Sequence, residues 1–159
     1  MSNRERIIEL VRIIRRPGVD SVLDYLNQST YFTCGCYEHH TEKGGLAQHS
    51  LEVYEYMRNH SGGLPAESLV VAALFHDLGK TCESDGREHG ARSLDILKAC
   101  GFELNQNEDI AIGKHHDKAA IGDMFLKSFL GPSPILLVLL SMCDMKSAGQ
   151  WKNEHPNGI

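Results

Sequence analysis

Leu69-Val70-Val71-Ala72-Ala73-Leu74-Phe75-His76-Asp77-Leu78-Gly79-Lys80 is a nearly unbroken apolar run that ends in a histidine and an aspartate side by side. A bilayer crossing needs about 20 apolar residues, so the run is too short to span a membrane. It reads as a helix buried on most of its surface, with Gly79 as its stop. Asp77 then stands at the C-terminal end of that helix, where unpaired carbonyls already concentrate negative charge and disfavour a carboxylate. Two readings follow. Either a cation sits nearby, a metal ion being the strongest candidate, or the helix ends at the surface and both side chains are solvated.

Working outward from this run, every periodic stretch has helical rather than alternating spacing. Residues 4–16 place Ile7, Ile8, Leu10, Val11 and Ile14 together with arginines opposite, and Pro17-Gly18 ends them. Residues 19–26 form a short second helix. Residues 28–43 have no helical period and read as a loop, with a short extended piece near Tyr31-Phe32. Helices follow over 45–57, from Pro65 through the opening run, and over 89–100, 108–116 and 121–130. Ser133 as N-cap and Pro134 as first residue introduce 135–148, whose Ile135-Leu136-Leu137-Val138-Leu139-Leu140 run is apolar all round, as a second core helix would be. Strand patterns, repeats and linkers are absent from the sequence. The reading is an all-α, compact single domain over residues 1–159.

The 159 residues allow a real core, and 42% hydrophobic with 23% charged residues is ordinary for a soluble globular chain. A net charge of −5 argues mildly against a protein that coats nucleic acid, where binding rests on neutralising phosphates. Arg4, Glu5 and Arg6 precede no long apolar stretch, so no secretory signal is expected. Five cysteines, an odd number, fit reduced thiols in a cytoplasm better than a disulfide framework. Cys34-Gly35-Cys36 is too isolated for a zinc knuckle and reads as plain loop. Nine histidines are the outlier, and they make a metal site worth seeking.

Asp144 follows the second apolar run as Asp77 follows the first. An unpaired buried carboxylate costs several kcal/mol, so each needs a partner. His49, His76, Asp77 and Asp144 would supply two imidazoles and two carboxylates around one ion, a set that suits Mn, Fe, Co, Ni or Zn better than Ca or Mg. His89 and the pair His115-His116 are placed to hold a second ion, with Asp77 bridging. Neighbours on a helix point about 100° apart, so one of that pair, not both, is expected to face the ions.

The ordered set His49, His76-Asp77, Asp144 resembles the HD-domain metal-dependent phosphohydrolases. Gly44-Gly45-Leu46-Ala47-Gln48-His49-Ser50 is similar to the segment around that family's first histidine, and His76-Asp77-Leu78-Gly79-Lys80 to its central motif. His89-Gly90 and His115-His116 resemble the extra histidines of members that bind two metals. The likeness covers residues 39–149. His39-His40 ahead of Gly44-Gly45-Leu46 looks most like the HD domains of certain bacterial 3′–5′ exoribonucleases, here without a nucleic-acid-binding module. The cyclic di-GMP phosphodiesterase branch carries a glutamate where Gly45 stands, and its Gly-Tyr-Pro signature is missing, so that branch is set aside.

The resemblance implies hydrolysis of a phosphoester of a nucleotide or other small phosphorylated metabolite, in a cytoplasmic protein with one or two divalent transition metals. A bound metal lowers the pKa of water and makes a nucleophile near neutral pH. Asp77 would bridge the ions or orient the water. Lys80 and Lys114 are candidates to hold phosphate oxygens, and His39 and His40 to line the substrate pocket. Lys43, Arg87 and Lys118 read as solvated, His60 and His155 as surface residues, and Cys143 as core. The rivals are a nuclease or cyclic-nucleotide phosphodiesterase, which the acidic balance disfavours, and a non-catalytic metal-binding sensor or scaffold, which the complete ligand set disfavours.

Overall fold

The computed structural model describes residues 1–36, 39–82, 88–127 and 135–149, apart from the side chains of residues 120 and 124–127. These hold eight α-helices and no strand: α1 Asn3–Val11, α2 Val19–Gln28, α3 Gly45–Asn59, α4 Ala66–Phe75, α5 His89–Ala99, α6 Gln106–Lys114, α7 Lys118–Lys127 and α8 Ile135–Ser147. A short 3-10 turn, Leu78–Thr81, lies between α4 and α5. The fold is all-α and compact, as the apolar spacing requires. Ser133, Pro134, Arg87 and His155 lie outside the described residues.

The opening run is the centre of the molecule. Every residue from Ser68 to Phe75 is buried, and α4 packs on α1, α3, α6 and α8. Its end differs from the sequence reading. The α-helix closes at Phe75, His76 is its C-cap, and Asp77 takes a bridge conformation before the 3-10 turn. Gly79 is therefore not the stop. It is a point of close approach, where a Cβ would come within 2.1 Å of the His89 carbonyl oxygen. Its amide donates to Ser93 Oγ at 2.8 Å, so the turn and α5 are locked together.

Two other boundaries have local causes. α1 begins in a capping box, Ser2 with Glu5, but stops at Val11 rather than running to residue 16. The Arg15 amide donates instead to Glu67 Oε1 at 2.6 Å, and the Arg16 guanidinium reaches Glu67 and Glu108. Those contacts hold residues 12–16 as a connector. Residues 31–33 form a turn and not an extended piece. Tyr31 is fully buried there, and its hydroxyl donates to the Leu74 carbonyl at 3.0 Å. α8 also departs from expectation: Leu136, Leu137, Leu140, Cys143 and Asp144 are buried, but Ile135 and Met142 are exposed. It packs chiefly on α3 and α6, with α4 and α7 also against it, and leaves one face to solvent.

Candidate metal centre

The last carbonyls of a helix need partners, and at the end of α4 two of those bonds hold His76. The Ala73 carbonyl accepts from His76 Nδ1 at 2.9 Å, and the His76 carbonyl accepts from Ser93 Oγ at 2.7 Å. Because a carbonyl only accepts, His76 Nδ1 carries a proton, and the neutral form of the ring has its lone pair on Nε2. His115, the C-cap of α6, repeats this arrangement: its Nδ1 donates to the Ile112 carbonyl at 2.8 Å. His49 on α3 reaches the same tautomer through side chains. Its Nδ1 lies 3.0 Å from Ser147 Oγ, whose own proton goes to Glu52 Oε2 at 2.8 Å. Three imidazoles are thus oriented from behind, the arrangement that fixes histidines as metal ligands.

Their Nε2 atoms converge on two carboxylates. Asp77 Oδ2 is 3.5 Å from His49 Nε2 and 3.4 Å from His76 Nε2, while Asp77 Oδ1 is 3.0 Å from His89 Nε2 and 3.7 Å from His115 Nε2. Asp144 Oδ1 is 3.0 Å from His49 Nε2, and its Oδ2 is 3.2 Å from His116 Nε2. Ligand atoms of His49, His76, Asp77 and Asp144 all lie within 4.8 Å of one another, and so do those of His89, His115 and His116. All four residues of the first group are buried. The helical-phase argument against facing both His115 and His116 inward does not apply, because α6 closes at Lys114 and both lie beyond it. His116 keeps an exposed side chain at the edge of the group.

The donor set fits a divalent metal on two grounds. His49 Nε2 and His76 Nε2 face each other at 3.3 Å, and His89 Nε2 and His115 Nε2 at 3.0 Å, so the imidazole nitrogens come together in pairs beside the carboxylates, where one cation could be shared between them. Asp77 Oδ1 is buried with no hydrogen-bond donor among the described residues. The electrostatics agree. Burial pushes Asp77 and Asp144 up, but His76 and Lys80 around the first, and His116, His49 and His76 around the second, hold both well below the usual carboxylate range. Burial also disfavours charge on His76, yet Asp77 and Asp144 outweigh it and raise its pKa to about 10, so without a metal the ring is an imidazolium between the two carboxylates, and an ion bound there would displace its Nε2 proton. His115, where burial wins, falls to about 4.

The remaining candidates divide. Lys80 Nζ lies 2.6 Å from Asp77 Oδ2, so the 3-10 turn returns this side chain to the centre. Lys114 is exposed, 3.8 Å from Asp117, on the rim of a cleft of about 620 Å³ beside His115 and His116. His40 adopts φ +48° and its Nε2 lies 3.1 Å from Glu52 Oε2. His39 stacks edge-on against His49, with ring centroids 4.6 Å apart. His60 is exposed and bound to the Tyr56 carbonyl, and Cys143 is buried. Sequence reading missed Glu52 and Ser147. Glu52 stands three residues after His49 and Ser147 three after Asp144, the one-turn spacing that could have flagged them.

Nitrogen and carboxylate donors oriented from behind, on a scaffold made of helices, define a helical protein built to hold divalent metal. The chain belongs to the HD domain family, which it matches over residues 46–148, and whose members are in general metal-dependent hydrolases. That span contains both carboxylates and the five histidines facing them. No curated protein and no solved structure gives a significant match. No helix among the described residues is long and apolar enough to cross a membrane.

Proposed function

We propose that the chain is a phosphohydrolase acting on a nucleotide or another small phosphorylated metabolite, with a transition metal of the Mn, Fe, Co, Ni or Zn type. The observation that carries this reading is Asp77. One of its oxygens faces His49 and His76 and the other faces His89 and His115, so a single carboxylate serves two sets of imidazoles. His49, His76, Asp77 and Asp144 would hold one ion, and His89, His115 and His116, with Asp77 shared, a second. A bound divalent metal supplies Lewis acidity toward a phosphoryl oxygen and toward water.

The chain's own groups do the rest. Asp77 would be shared between two ions or, with a single ion bound, would accept a hydrogen bond from the attacking water and orient it. Lys80, held beside Asp77, offsets charge that builds on the phosphoryl oxygens, and it cannot serve as a metal ligand while protonated. Lys114 stands on the rim of the substrate cleft, whereas His39 and His40, the other candidates for its wall, lie against His49 and Glu52 and outside the lining of that cleft. The cleft beside His115 and His116 falls in the size range of small-molecule sites, about 300–1,000 Å³. The loop ahead of α3, with His39-His40, supports a place near the HD domains of exoribonuclease type.

The test combines elemental analysis of protein purified without chelator with a phosphoester panel assayed in Mn, Fe, Co, Ni, Zn and Mg. The expected result is bound transition metal and hydrolysis of a small phosphoester, both lost in Asp77→Asn while the helical circular dichroism remains. Protein that takes up none of these metals, or an Asp77→Asn variant with full occupancy, overturns the reading.

A further inference from the structure

Cys34-Gly35-Cys36 reads as plain loop in the sequence, but the fold brings Cys36 to the centre. Cys36 is buried, and its Sγ, one ring nitrogen of His39 and one of His49 all lie within 4.8 Å of one another. The loop that carries the first two is firmly held. The Cys36 amide donates to the His40 carbonyl at 2.9 Å, and the Leu46 amide to the Cys34 carbonyl at 3.1 Å. Gly45, the first residue of α3, sits so close beneath that a Cβ would come within 1.8 Å of the His40 carbonyl oxygen. Both ring nitrogens of His39 are buried with no hydrogen-bond partner among the described residues. A buried imidazole with two unanswered polar atoms normally has a ligand, water or side chain against it.

We propose that Cys36, His39 and His49 form a second kind of metal site, selective for thiophilic ions, on the loop side of the centre. One thiolate and two imidazoles, with a fourth position left for water, is a recognised set for Zn(II) and the similar Co(II) and Cd(II), and a poor one for Mg(II). A coordinating ion deprotonates the thiol on binding, and the proton is released to solvent. His49 belongs to both sets. A neutral imidazole has one lone pair, so an ion held by Cys36 and His39 takes His49 away from Asp144 and His76. The consequence is competition: a thiophilic ion at the loop site and an ion in the His-Asp set exclude each other at His49.

This inference rests on the metal-centre reading but is tested apart from it. The probe is Co(II) alone, titrated into metal-stripped full-length protein. Thiolate ligation gives an intense near-ultraviolet charge-transfer band that nitrogen and oxygen ligands do not. The expected result is that band in the wild type and in Cys34→Ser and Cys143→Ser. It is absent in Cys36→Ser and at least tenfold weaker in His39→Ala. Cys36→Ser still takes up Mn(II), measured by elemental analysis after gel filtration, which reads the His-Asp set independently. Co(II) uptake with no charge-transfer band, both in the wild type and in Asp144→Asn, where the competing His-Asp set is weakened and His49 is free for the loop, overturns the loop site and leaves the His-Asp reading standing. A band that survives Cys36→Ser also overturns it, whereas a band without Mn(II) uptake upholds the loop site and overturns the other. Circular dichroism of each variant separates loss of ligation from loss of fold.

Discussion

Lys80 shows how one side chain can be legible in position and not in conformation. Its place three residues beyond Asp77 allows contact in any helical turn. What the sequence cannot specify is that the turn is 3-10, which closes Nζ onto Asp77 Oδ2 at 2.6 Å and leaves the side chain only 7% exposed. Burial pulls its pKa down, but Asp77 outweighs burial and raises it, so the ammonium is charged at neutral pH. Lys80→Ala is expected to bind metal at least as tightly as the wild type, because a competing cation has gone. Its turnover should fall by a factor of about 10²–10³, the cost of one well-placed electrostatic donor elsewhere. Metal-buffered titration and steady-state kinetics on the same preparation check both halves. Unchanged turnover would make Lys80 a counter-ion of Asp77 and nothing more.

At the scale of elements, His76-Asp77 and Asp144 are readable because each follows a buried apolar run, where periodicity and helix-end charge both speak, and His49 because it lies among the apolar positions of α3. The groups behind them are not, because they meet through tertiary contacts. Ser147 lies at the end of α8 and Glu52 within α3, and only packing of α3 on α8 brings them to His49. The same limit hid Cys36, which is adjacent to His49 in space and 13 positions away in sequence. It also misled the reading of His115-His116, where the phase rule holds inside a helix and fails one residue past its end. Ser147→Ala removes the acceptor for His49 Nδ1 and frees the ring to turn. Loss of such a partner weakens metal binding by about 10–100-fold. Competition against a chelating dye measures this, and Ser147→Thr, which restores the hydroxyl, should recover most of it. Equal affinity in all three proteins would show that packing alone orients His49.

For the whole molecule, the side of α4 away from the centre is tied by a second polar cluster. Arg16, from the connector after α1, forms hydrogen bonds with Glu67 beside α4's start and with buried Glu108 on α6. Ser68 Oγ adds a bond to Glu108 at 2.6 Å. Burial pushes Glu108 up, but the bonds from Arg16, Ser68 and the Asn105 amide outweigh it and hold its pKa below the ordinary 4.5. A carboxylate lowered in this way stabilises the fold fully above its unfolded value, and that contribution fades as pH falls through the folded one. Glu108→Ala should cost about 3 kcal/mol at neutral pH, since it leaves a half-shielded guanidinium without its main partner. Urea unfolding monitored by circular dichroism should show that gap narrowing below pH 4.5. A gap independent of pH would mean that the loss is one of packing and not of charge.

The contact between Lys80 and Asp77 also makes loading of the centre an exchange of one cation for another. An open acidic cavity attracts every divalent ion in solution by its long-range field, at a rate that salt suppresses. Here an ammonium already closes much of that field at 2.6 Å. An ion arriving at Asp77 Oδ2 would compete with the ammonium by the strength of its own coordination bonds. Sodium and potassium have none to offer, and magnesium surrenders its water reluctantly. Ions that bond strongly to imidazole do not share that handicap. A lysine so placed would screen ions by the chemistry they bring and not by the charge they carry.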